Sequence, residues 1–324
     1  MPPVTQALRC ALCYENGSAE DNPVEIRDNG LALCQNCCDD HYFMCDGCCS
    51  FLSNDNYSQD GQCYNCNPGD DSEILDAGYT PNFTFYKEVY ENTLFQGVEL
   101  EIECPDNCNR SEFARAFKEF LKKNDMHKGI YVKDDGSLDN GFEIVSMPFT
   151  SRARHRLLDW YKILKYLKAK RAKSFRTDTC GLHIHVSREA LTDNDIRKIK
   201  YFFWVNRGRV QKVAGRRANN YCEFQSFHHV MFAAADNLRQ STRYLAVNVV
   251  TQTKKRTVEF RIFKGTLDHK RLMGCLQFTE ALCEFVKLVG FAGLERGSWA
   301  KFKAWIRQEG RFNNLVKHLE RVGA

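Results

Sequence analysis

A chain of 324 residues, 43% apolar and 27% charged, is long enough for one large domain plus a minor one, and its composition excludes wholesale disorder. It contains no run of 18 apolar residues, and its first residues, MPPVTQALRC, lack the pattern of a secretion signal, so a cytoplasmic protein without a membrane partner is expected. Charge is divided: residues 1–70 hold 11 acidic and 2 basic side chains, a net of −9, whereas the remainder carries a net of +14. The two parts therefore face different partners, or each other.

Ten of the sixteen cysteines lie between Cys10 and Cys66. Four C-x-x-C pairs stand out: Cys10 with Cys13, Cys34 with Cys37, Cys45 with Cys48, and Cys63 with Cys66. Each pair makes a knuckle that bites one tetrahedral zinc, so eight thiolates predict two closed, structural Zn2+ sites and a cysteine-rich binuclear module over residues 1–70. The short spacer between Cys37 and Cys45 resembles cross-brace modules of the PHD and FYVE kind, in which the first and third pairs share one zinc; pairing of neighbouring pairs is the alternative. Cys38, His41 and Cys49 are read first as non-ligands, with substitution at one ligand position as the alternative. So few large apolar residues leave zinc to supply most of the folding free energy. An acidic module carrying thiolate sites is the wrong sign for a phosphate backbone, so a protein partner or client is expected here. A nucleic-acid partner is the weaker expectation, left open for the basic domain. Residues 71–85, within NPGDDSEILDAGYTP, read as an acidic linker, and 86–324 as the second domain.

In that domain LFQGVELEIEC alternates Val98, Leu100 and Ile102 against Glu99, Glu101 and Glu103. Three carboxylates on one strand face repel one another unless cations lie between them; the competing reading is a solvated edge strand. GFEIVSMPF sets Glu143 in an apolar strand after the turn KDDGSLDNG. RHRLLDWYKILKYLKAKRAK predicts a helix with Leu157, Trp160, Leu164 and Leu167 facing the core. Residues 151–176 carry ten Lys or Arg against one Asp, which reads first as a solvated face and second as a polyanion patch. In CGLHIHVS, His183 and His185 share a face only if the stretch is a strand. Those histidines are a hydrogen-bonded pair, a metal pair, or part of a single-stranded DNA nickase in which Tyr201, on the helix IRKIKYFFWVN, attacks a phosphodiester. KRTVEFRIFKGT alternates Val258, Phe260 and Ile262 against Glu259 and Arg261. HKRLMGCLQFTEALCEFVKLV and WAKFKAWIRQ read as helices.

Four strands with ionisable residues opposite their apolar ones predict an α+β, mainly antiparallel sheet with packed helices, presenting a mixed-ligand site for divalent metal and a cation for phosphate. No glycine-rich phosphate loop is present.

The motifs GVELEIE, DGSL, GFEIVSMPF, CGLHIHVS, RYLAVN and TVEFRIFKGT, in that order over about residues 94–290, resemble the amidoligase family of glutamine-synthetase-like ATP-dependent carboxylate–amine ligases. The resemblance implies a curved antiparallel sheet whose face binds ATP and two or three Mg2+. By it, Glu99, Glu101, Glu143, His183 and Glu259 are metal ligands. His183, His185 and Ser187 lie on the nucleotide side, and Arg261 contacts the reacting phosphoryl or carboxylate group. The implied reaction activates a carboxylate as an acyl phosphate and passes it to an amine, giving an amide. Where the family pattern has an arginine before the late glutamate, Thr257 stands here, with Arg256 one place earlier; Arg216, Arg217 and Arg243 are candidates to complete the phosphate clamp. Tyr244 and Asn248 either shape the substrate pocket or pack. A zinc-module adaptor with a ligase-like but non-catalytic domain is the remaining alternative.

Overall fold

The computed structural model of the chain describes residues 10–13, 24–26, 32–46, 49–54, 57, 61–63, 73–88, 94–226, 244–250 and 257–324. The chain divides into two compact units, Met1–Asn82 and Phe83–Ala324.

In the smaller unit, β1 (Val24–Ile26) pairs antiparallel with β2 (Ala32–Cys34), which leads into a short helix, Gln35–His41. A second hairpin joins β3 (Tyr42–Met44) to β4 (Phe51–Ser53), and the rings of Tyr42 and Phe51 stack at 5.2 Å. Its buried centre is Cys10, Leu33 and Cys34, with Tyr42 and Phe51 packed on it. Among the described residues this apolar centre is small, and cross-links through the thiolates would add to it.

The larger unit is built on an antiparallel sheet that contains, among the described residues, β5 (Gln96–Glu103), β6 (Ile130–Lys133), β7 (Gly141–Ser146), β8 (Gly181–Ser187), β9 (Val247–Val250) and β10 (Thr257–Lys264). Their order across the sheet is β6-β7-β5-β8-β10-β9, so the four strands that alternate in the sequence are the central ones. One face is apolar: Leu100, Ile102, Phe142, Ile144, Leu182, Ile184, Val186, Val258, Phe260 and Ile262 are fully buried. Helices cover it. Helix Arg110–Lys123 sets Phe113 and Phe117 against Phe142, and helix Asp193–Val205 sets Phe203 against Phe260. The long helix His269–Leu288 brings Phe278 against Phe263. Caps fix where these helices start: Asn109 accepts the Ser111 and Glu112 N–H groups, Thr192 and Asp195 form a capping box, and Asp268 accepts from Lys270 and Arg271.

The single helix expected over RHRLLDWYKILKYLKAKRAK is two, Ser151–Leu157 and Trp160–Ala169. Asp159 caps the second by accepting the Lys162 N–H, and Leu158 takes an extended conformation between them. The break turns Leu157 outward to 38% exposure, while Leu158, Trp160, Ile163, Leu164 and Leu167 form the buried stripe. WAKFKAWIRQ lies in helix Ser298–Glu309, and a further helix, Asn313–Val322, follows it. Among the described residues no helix is long and apolar enough to cross a membrane.

Candidate metal centre

Among the described residues, ligand-type side chains cluster in each unit.

In the smaller unit Cys10, Cys13, Cys34 and Cys37 converge into a four-thiolate group that could hold a zinc ion. Burial opposes ionisation of Cys10, yet the Cys13, Cys34 and Leu12 backbone groups hydrogen-bond its sulfur and hold it down to about 6, as suits a metal-binding thiolate. The first pair thus meets the second, not the third: the cross-brace expectation gives way to pairing of neighbours. The reason is local, because β2 carries Cys34 straight into the buried centre beside Cys10. Cys45 meets Cys63 separately, its sulfur accepting the Cys63 N–H at 3.2 Å. Cys48 and Cys66 lie outside the described residues.

In the larger unit the sheet face opposite the apolar one is built by register. Glu101 lies across from Glu143, Glu99 from His183, His185 from Glu259, and Glu259 from Asn248. Strand alternation points all of these to one side, and the antiparallel neighbours bring them together. His183 Nδ1 is 3.6 Å from Glu99 and 3.7 Å from Glu259, and its Nε2 is 3.6 Å from Glu101. His185 Nε2 is 3.2 Å from Glu99 and 3.9 Å from Glu259.

Three overlapping sets arise from this packing: Glu99, Glu143 and His183; Glu99, His185 and Glu259; and Glu101, Asp135 and Glu143. Asp135 was not among the residues singled out in the sequence. It sits in the turn KDDGSLDNG, where nothing periodic marks it, and only the return of the hairpin to the sheet places it beside Glu143.

The electrostatics show a face short of cations. Burial, and then the Glu99 carboxylate, push Glu143 up to about 10. Burial likewise raises Glu101. Burial works against a charged His183, but Glu101, Glu99 and Glu259 outweigh it and hold the imidazole above its ordinary value. Burial also opposes ionisation of Glu259; His185 and Arg261 overcome that and keep its carboxyl below the usual range. His183 Nδ1 and His185 Nε2 are buried and make no hydrogen bond, although both are surrounded by carboxylate oxygens. Unsatisfied nitrogens with carboxylate oxygens 3.2 to 3.9 Å away make a donor set that could hold a shared divalent cation, so the residues fit such an ion.

A second layer holds these groups. Thr257 Oγ1 lies 2.9 Å from His185 Nδ1, which turns Nε2 toward Glu99. Arg261 donates to Glu259 Oε1 at 2.6 Å and Asn248 to Oε2 at 3.0 Å. The Gly181 N–H donates to Glu101. A Cβ at Gly181 would stand 2.9 Å from His183 Nε2 and 3.2 Å from Glu101 Oε2, so glycine leaves room for the site.

Other residues singled out in the sequence lie elsewhere. Glu103 accepts the Asp139 and Asn140 N–H groups at 3.0 and 2.8 Å and the Thr179 hydroxyl at 2.7 Å, so it ties the Asp135 turn down instead of extending the ligand ladder. Arg216 directs Nε and Nη2 at the carbonyl oxygens of Ile262 and Arg261, bracing β10. Arg243 and Arg256 lie outside the described residues. Tyr201 packs against Phe291, on the helix that covers the apolar face, so the sheet stands between it and the histidines.

Beside Glu99 and His185 opens a cavity of about 140 Å³, walled by Phe83, Phe85, Phe95, Tyr131, Pro148 and Ser187. No protein-family model and no curated protein matches this chain.

Proposed function

We propose that the larger unit is a glutamine-synthetase-like, ATP- and Mg2+-dependent carboxylate–amine ligase. The observation that carries this reading is one sheet face on which Glu99, Glu101, Asp135, Glu143 and Glu259 form three overlapping ligand sets with His183 and His185, with Arg261 at the edge and an aromatic cavity alongside. Five carboxylates packed this closely repel one another in proportion to their burial, and two or three divalent ions relieve that repulsion while leaving coordination positions for phosphate oxygens. Bound Mg2+ would neutralise the charge that spreads over the phosphoryl group in transfer.

The chain's own residues do the rest. The cavity offers aromatic walls for a nucleotide base, with His185 and Ser187 on its phosphate side. Arg261, held by Glu259, supplies a fixed cation for the reacting phosphoryl or carboxylate group. Asn248 and Thr257 keep Glu259 and His185 from turning away. A carboxylate substrate attacks the γ-phosphorus and ADP leaves; an amine then attacks the acyl phosphate, phosphate leaves, and an amide remains. No protein nucleophile is needed. In the smaller unit we assign two structural zinc ions, the first to Cys10, Cys13, Cys34 and Cys37 and the second to Cys45, Cys48, Cys63 and Cys66. Its acidic surface suits a protein partner or client.

The nickase reading needs a tyrosine within reach of the histidines, and Tyr201 sits on the covered side. The test is thermal stability of the zinc-loaded protein with ATP and Mg2+, singly and together, for wild type and Glu99→Gln. A shift that needs both ligands and is lost in the variant supports the site through binding linkage, and ADP release with candidate acids and amines then reads turnover. No shift in the wild type refutes the ligase reading. A shift without turnover across such a screen favours the adaptor.

A further inference from the structure

A second surface of the larger unit has no part in this chemistry. On helix Trp160–Ala169, Tyr161, Lys165 and Lys168 recur at four- and three-residue spacing, one above another on the exposed face. Tyr161 is 58% exposed, and its ring meets the edge of His269 at 5.7 Å. Two residues on, Arg271 stacks over Phe175 at 4.5 Å, and Lys264 approaches the same ring at 5.6 Å. The first turn of helix His269–Leu288 therefore runs from Tyr161 to Phe175 and links the two aromatics into one strip. Lys165 and Lys168 stand exposed on the Tyr161 face of their helix, Lys270 is exposed in the linking turn, and Lys264 and Arg271 lie at the Phe175 end.

Two carboxylates beside the strip, Asp159 and Asp268, serve as helix caps. Asp159 accepts the Lys162 N–H at 2.9 Å. Asp268 accepts the Lys270 and Arg271 N–H groups and pairs with Arg321 at 2.8 Å. No ion pair ties Lys165, Lys168 or Lys264 to a carboxylate among the described residues. Cations on one helix repel one another, so a row of them without counter-ions is stabilised by an anion of matching length.

We propose that this strip binds a single-stranded nucleic acid, whose phosphates meet the lysine and arginine row and one of whose bases stacks on Tyr161. The exposed aromatic selects that partner over an acidic protein: a base presents a π-face to the ring, and a glutamate-rich segment does not.

The test is fluorescence anisotropy of a fluorescein-labelled 20-nucleotide oligothymidylate with the full zinc-loaded chain. Binding is expected with a Kd of about 1–100 μM, weakening about 20- to 50-fold between 50 and 200 mM salt, as release of counter-ions from three or four phosphates requires. Lys165→Glu, Lys168→Glu and Lys264→Glu together should weaken it at least about tenfold, whereas the same reversals at Lys301, Arg307 and Lys317 should not. Tyr161→Ala, which changes no charge and lies on the surface, should cost about fivefold or more; it decides the matter if the triple variant fails to fold. The proposal is overturned by absent binding at 50 mM salt or by equal losses in the two reversal sets. It is equally overturned if Tyr161→Ala has no effect while polyglutamate displaces the oligonucleotide, which would assign the strip to an acidic protein.

Discussion

In the smaller unit the thiolates of Cys10, Cys13, Cys34 and Cys37 come from two knuckles close in sequence and form much of the buried centre themselves. In the larger unit Glu99, Glu143, His183 and Glu259 are drawn from four strands, and behind them lies a complete apolar layer that owes nothing to metal. The contrast separates two uses of ligand clusters. Where the core is small, metal binding is the folding free energy. Where the core is large, packing holds like charges together, and burial first, then neighbouring carboxylates, raise Glu143 and Glu101, a cost that bound cations would relieve.

The largest expected effect breaks the comparison at the smaller unit. Chelation, or Cys34→Ser, should unfold residues 1–82 outright, because structural zinc supplies on the order of 10 kcal/mol in such modules. The unit Phe83–Ala324 should melt as before. Zinc content and calorimetry measure this; a single melting transition that falls as a whole on chelation would remove the distinction between the units.

Next in size is the loss of metal charge in the larger unit. Glu259→Gln keeps the volume and should lower ATP turnover by about 100-fold or more while shifting the melting temperature little. Arg261→Lys should fail similarly, since a point ammonium cannot hold Glu259, as Nη1 does, and still present further planar donors to a phosphoryl or carboxylate group. Wild-type turnover in both would show that the cluster is structural.

A geometric change is expected to be milder. Gly181→Ala adds no charge but crowds His183 and Glu101. Mn2+ titration should show affinity reduced about tenfold or more, as for disturbed outer-shell partners, with circular dichroism unchanged. Unaltered affinity would mean that this end of the face holds no ion.

The smallest effect concerns the packed core. Lys200 is 3% exposed, and its Nζ makes no hydrogen bond. Burial, and then Arg197, bring its pKa down to about 8. The folded value lies below the unfolded one, so the unfolded chain binds more protons between about pH 8 and 10.5, and stability from this group rises with pH across that window. Below it the folded protein carries an unpaired buried ammonium. Lys200→Met should therefore stabilise the larger unit by on the order of 1 to 2 kcal/mol at pH 7, with the advantage shrinking toward pH 10. Urea melts at the two pH values decide it, and an equal difference at both would exclude titration as the cause.

Some of this was legible before any coordinates. Residues of period two identified β5, β7, β8 and β10, and named Glu99, Glu101, Glu143, His183, His185, Glu259 and Arg261 as sharing a polar side, because alternation is a property of each strand alone. The C-x-x-C knuckles were equally local. Which knuckles meet was not, since it depends on how β2 and the hairpin β3–β4 fold back. Glu103 looked identical to Glu99 and Glu101 in the pattern, yet the end of β5 places it under the Asp139–Asn140 backbone, where it serves the turn. Asp135 stood within the DGSL turn without being picked out, and Asn248 was left between pocket and packing.

The amino-acid order by itself determined the four central strands, their two faces and the thiolate pairs, because these follow from local periodicity and spacing. The tertiary structure alone decided the strand order, the register that sets Glu101 against Glu143 and Glu99 against His183, and the side of the sheet on which Tyr201 lies, because those depend on contacts between residues far apart in the chain.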